Sequence, residues 1–275
     1  MPEPQKIISI DYFRMMTGRM LPLISLLLIT VMYSHSLSKE SYGIFQSTWM
    51  YTNLASVAMG FGITTIIFST NTGIFRSLFR NNRKSIIIFY AVLWICCLVL
   101  FYLFAVFPPI TKFLISIFIL FQNINSITES WLIKNNNSGK YLRVNIIYSS
   151  LFFLWHFYIL HQGYDLEKLI IGVIAISFLK LLALLAPIRN FKTTENIDTN
   201  ERKIFSHWAF IGFNDILSVF SKWIDKLILI YLLSPSEFAI FFNGSIEIPF
   251  FTIFISMSGN YQMMQISKDQ QNVEL

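Results

Sequence analysis

IIIFYAVLWICCLVLFYLFAVF, residues 86–107, contains no charged side chain. As an α-helix it would rise about 33 Å. That matches the roughly 30 Å hydrocarbon thickness of a bilayer. A helix lying on a water-soluble core would show a polar stripe along one side. This segment has none. NNRK (81–84) precedes it and Pro108-Pro109 follows it, so polar and helix-breaking residues bracket the run. We read it as a membrane-spanning helix.

The rest of the chain agrees. Of its 275 residues 55% are hydrophobic and only 13% are charged, with a mean hydropathy of +0.57. Soluble domains carry about 25% charged residues, so this chain could not cover a water-facing surface. Disorder is excluded by the same hydrophobicity. Further apolar runs lie near 14–34, 44–67, 110–132, 144–161, 167–187, 206–232 and 237–258. Barrel-type alternation is not seen, and backbone groups in lipid must be satisfied internally. The expected fold class is therefore all-α, a polytopic membrane helix bundle of about eight transmembrane helices.

The net charge of +6 does not form a nucleic-acid face. Assigned to alternating loops, fifteen Lys and Arg residues fall on the side of the N-terminus. Three, Lys39, Lys112 and Lys168, fall on the other. The positive-inside rule then predicts a multi-pass protein with both termini cytoplasmic. Cys96 and Cys97 are adjacent in an apolar run and read as small fillers. The four histidines are not paired at helical spacing, and no HExxH, GxSxG or P-loop occurs. No enzyme, cofactor or metal is expected.

RNFKTTENIDTNERK (189–203) is the longest polar connection. It divides the chain into a six-helix lobe (1–188), a cytoplasmic linker (189–204) and a two-helix segment with a polar tail (205–275). A shift of 196 positions lays LSKESYGIF (37–45) on LSPSEFAIF (233–241). Both connect one apolar helix to the next on the outer side. Such internal repeats are common in transporters.

These motifs carry a resemblance. An LSxxxYGxF loop follows the first helix, Gly60 and Gly62 lie in the second, and Asp225 precedes an LSxxxFAxF loop after the seventh. The pattern resembles the polysaccharide-export flippases, which handle O-antigen and capsule repeat units. They belong to a superfamily that includes multidrug-extrusion antiporters. The resemblance implies two lobes around a central cavity and a bacterial cytoplasmic (inner) membrane location. It implies transport of undecaprenyl-pyrophosphate-linked oligosaccharide, with membrane lipids and polysaccharide polymerase machinery as partners. Nucleic acid is not among them. Members have twelve to fourteen helices, so this chain resembles a form truncated after the eighth. A drug/cation antiporter of the same superfamily and a non-transporting membrane fragment stay open as alternatives.

Charges inside apolar segments point to the site, because each costs about 2.5–3.5 kcal/mol at a helix centre. Asp215, Lys222 and Lys226 are spaced by seven and four, which places them on one face of the seventh helix. Asp225 lies about a quarter-turn away. Lys180 falls in the sixth helix and Glu247 in the eighth. Lys180, Lys222 and Lys226 are the candidate substrate-binding residues, attracting an anionic lipid head group. Asp215, Asp225 and Glu247 are candidate ion-pair or coupling residues. Mutual neutralisation of these groups is the competing reading.

Overall fold

The computed structural model describes residues 10–70, 72–105, 107–185, 201–244 and 250–273. Its elements are α1 (Ile10–Ser36), α2 (Lys39–Gly60), α3 (Ile63–Ser69), α4 (Thr72–Asn81), α5 (Arg83–Phe104) and α6 (Pro109–Lys134). They continue with α7 (Ser138–His161), α8 (Leu166–Leu185), α9 (Glu201–Leu232), α10 (Pro235–Gly244) and α11 (Phe250–Val273). The described residues contain no strand. The fold is an all-α polytopic helix bundle, and its apolar spans make it a membrane-embedded protein.

Length and apolarity mark α1, α5, α6, α7 and α8 as membrane spans. The pair α2–α3 passes the same test as one span bent by 48°. These correspond to the first six expected passes. The seventh differs from expectation. Helix α9 is 32 residues long but carries Asp215, Lys222, Asp225 and Lys226, which remove it from that apolar class. In the eighth, α10 is described to Gly244 and α11 from Phe250, and residues 245–249 lie outside the described residues.

Two apolar clusters mark the two ends of the bundle. Met15, Phe68, Ile133, Tyr141, Met257 and Met264 meet at one end. Ile29, Tyr33, Tyr42, Phe45, Ile159, Leu169 and Ala239 meet at the other. The start of α1 and the second half of α11 therefore share an end, and the Tyr12 and Ser258 hydroxyls lie 2.8 Å apart there. The residues after 258, expected as a polar tail, instead continue as helix α11 to Val273. Met264 and Ser267 in this stretch are buried, because α11 docks on α1 and α3. Its polar residues thus coexist with an apolar docking side that a hydropathy average hides.

The polar break before α5 also holds more structure than expected. The Phe75 and Phe79 rings of α4 lie 4.3 Å apart, tilted by 33°, and Phe75 packs on Trp131. Ten residues are too few to span a bilayer. The linker residues 189–200 lie outside the described residues.

Candidate functional site

Gly60 and Gly62 flank the break in the second pass. Phe61 (φ 41°) and Gly62 (φ 69°) both adopt the left-handed conformation, which ends α2 and redirects the chain into α3. A Cβ on Gly62 would crowd Ile211 and the backbone of Gly212, so α9 approaches here only because the residue is glycine. The break frees backbone carbonyl groups, and a buried unpaired one is costly. Trp208 Nε1 of α9 donates to the Phe61 carbonyl at 2.8 Å. Tyr90 of α5 donates to that of Gly60 at 3.3 Å. Broken helices often mark transporter binding sites. The two glycines were visible in the sequence, but the break itself was not.

Lys180 departs from expectation. It pairs with neither Asp215 nor Asp225. Its Nζ meets Glu129 Oε1 of α6 at 2.6 Å, with side-chain exposures of 9% and 17%. It also donates to Asn145 Oδ1 at 3.0 Å and sits 4.1 Å from the centre of the Tyr148 ring. Three helices of the first six passes therefore enclose the ammonium. Gln122, Asn125 and Glu129 follow one another along one side of α6. The Gln122 and Asn125 amide oxygens there are buried without a hydrogen bond among the described residues. The ion pair has a physical cause: a lone charge at this depth would be far costlier than a matched pair.

Lys222 is exposed, as is Asp225. Lys226 is more enclosed, with 12% of its side chain exposed, and lies 3.7 Å from Asp225 and 5.1 Å from the Trp223 ring centre. Asp215 is half-buried on the same helix. Glu247 lies outside the described residues. The structure thus places four of the six candidates along α9 and sets Lys180 apart from them.

Lys134 is the buried lysine that sequence reasoning missed, having been counted as a topological charge. Its Nζ donates to the carbonyls of Phe68 (3.0 Å) and Thr70 (2.6 Å) and to Ser267 Oγ (2.8 Å). It joins α6 to the end of α3 and to α11, where a cation also suits the negative helix C-terminus.

The repeated loops are built alike. Leu37 N–H donates to Tyr33 O, and Leu233 N–H to Leu229 O, both at 2.9 Å. Tyr42 N–H donates to Ser38 O and Phe238 N–H to Ser234 O, again at 2.9 Å. Ser38 and Ser234 each cap the following helix through the side chain, a role Ser fills by accepting orphan N–H groups. Every pair is related by the shift of 196. The junctions also meet. Tyr42 donates to Asn243 Oδ1 at 2.6 Å and accepts from Gln46 Nε2 at 2.7 Å. Gly43 lies directly against the Pro235 backbone, leaving no room for a Cβ.

Between α2, α5 and α9 runs a groove of about 590 Å³. Ala55 and Ala58 of α2, Cys97 and Leu100 of α5, and Val219 and Leu227 of α9 are among its lining. None of the candidate lysines is among its lining residues. Comparisons with known protein families, curated proteins and solved structures return no match.

Proposed function

We propose that this protein is a flippase for lipid-linked oligosaccharides. It moves undecaprenyl-pyrophosphate-linked repeat units across a bacterial cytoplasmic membrane for O-antigen or capsule synthesis, with both termini in the cytoplasm. The observation that supports this reading best is the pair of like-built junctions, Leu37–Phe45 and Leu233–Phe241. They join α1 to α2 and α9 to α10, and they contact each other through Tyr42, Asn243, Gly43 and Pro235. Two repeats facing each other are what a transporter that rocks one part against another requires. The broken second pass adds to it.

A pyrophosphate loses its hydration on entering the membrane, and fixed cations offset that cost. Lys222 and Lys226 on α9 take this role. Lys180 is committed to Glu129 and acts in packing the first six passes. That commitment also weighs against drug/cation antiport, which needs an available carboxylate deep within those passes.

The test is surface glycan export in a strain of its own background lacking the gene. The wild-type chain restores the glycan, and the Lys222→Ala, Lys226→Ala double variant is abundant and inserted but does not. Full export by that abundant double variant overturns the head-group role. An abundant wild-type chain that restores no glycan overturns the flippase reading and leaves the non-transporting alternative.

A further inference from the structure

We infer that the groove between α2, α5 and α9 holds the hydrocarbon chain of a polyprenyl lipid. The identity of the lipid rests on the flippase reading; the occupancy of the groove by hydrocarbon does not. The walls come from helices that run between the two ends of the bundle, so the groove lies at membrane depth. Its lining is carbon apart from the Tyr51 and Tyr231 hydroxyls and the Cys97 thiol. A space of this kind is filled by hydrocarbon in a bilayer, since no water or polar group is stable there.

Length selects the type of chain. Along α9 the lining extends from Ile216 to Tyr231. That is about 22 Å of helix. One leaflet of the hydrocarbon core is about 15 Å thick. A chain filling the groove therefore passes the midplane, which an acyl chain confined to its own leaflet does not. A polyprenyl chain is long enough to do so. Ala55 and Ala58, one turn apart on α2, leave recesses in the wall that larger residues would close, and these suit a chain carrying methyl branches.

Polarity at the groove's edges agrees with an anionic lipid. Tyr51 and Tyr231 place hydroxyl groups in the lining, Tyr231 at its far end along α9. Tyrosine is common at the level where hydrocarbon gives way to head groups. Lys226 borders the lining between Ile224 and Leu227 and gives that flank a positive charge. Its neighbour Asp225 is a loose partner at 3.7 Å.

The experiment uses the full chain in nanodiscs with either a polyprenyl phosphate or a phosphatidylglycerol, each carrying a diazirine in its chain. Crosslinks are mapped by mass spectrometry. The polyprenyl probe should label the lining around Ala55, Ala58, Leu100 and Val219 in preference to the exposed Val92 and Val99 of α5. Ala55→Phe and Ala58→Phe fill the groove and should lower that labelling about tenfold, one overpacked side chain's worth of affinity. If either variant folds poorly, competition of wild-type labelling by unlabelled polyprenyl phosphate gives the same answer without a substitution. Equal labelling of the groove and of Val92 and Val99 overturns the proposal. So does equal labelling of the groove by both probes, or indifference to filling and to competitor. Labelling requires no export, so a groove that labels in a chain that exports nothing sinks the flippase reading alone. Export with unselective labelling sinks the groove alone.

Discussion

Lys180→Met keeps the length of the side chain and removes its charge. It deletes the 2.6 Å ion pair with Glu129, the bond to Asn145 and the ammonium–ring contact with Tyr148. Removing one partner of a buried pair costs about 3–5 kcal/mol, because the other charge is left uncompensated. The expected loss is therefore about 3–5 kcal/mol. Adding Glu129→Gln removes the stranded charge and should recover most of the loss. Reversible unfolding in mixed micelles of wild type, both single variants and the double variant measures this. A double variant as unstable as the sum of the two singles would show no coupling and refute the reasoning.

Gly43→Ala should prevent α10 from seating on α2, costing about 1–3 kcal/mol as overpacking; Gly244→Ala, where space is open, should be silent in the same thermal-unfolding assay. Trp208→Phe leaves the Phe61 carbonyl without its donor and should cost about 1–3 kcal/mol; a neutral effect would mean the break in the second pass is not held by α9. Asp165 caps α8, accepting from the N–H groups of Lys168 and Glu167, and these bonds, the Lys168 one foremost, hold its carboxyl below the usual range. The cap therefore contributes above pH of about 4 and is lost as pH falls through the lowered value. Asp165→Ala should cost about 1 kcal/mol at neutral pH, read by unfolding, and nothing at strongly acid pH. Reporter fusions after Lys39 and after Lys192 should report opposite sides of the membrane; the same side for both would refute the alternation of passes.

Local features were legible in the sequence because they depend on short stretches. An uncharged run of residues 86–107 must be a buried or membrane helix wherever it lies. Ser38 and Ser234 cap the helices that follow them because a cap is satisfied within one turn. The match of residues 37–45 with 233–241 likewise reappears as like-built junctions. Tertiary structure decided whatever required distant segments to meet. Lys180 has several acids available in the sequence, and only the packing of α6, α7 and α8 selects Glu129. Lys134 reads as a loop charge until α3 and α11 bring three oxygens to it. The break at Phe61-Gly62 is tolerated because Trp208 and Tyr90, from other helices, take up the freed carbonyls. At membrane depth no water can satisfy a polar group, so its partner must be supplied by another segment, and periodicity carries no record of which one.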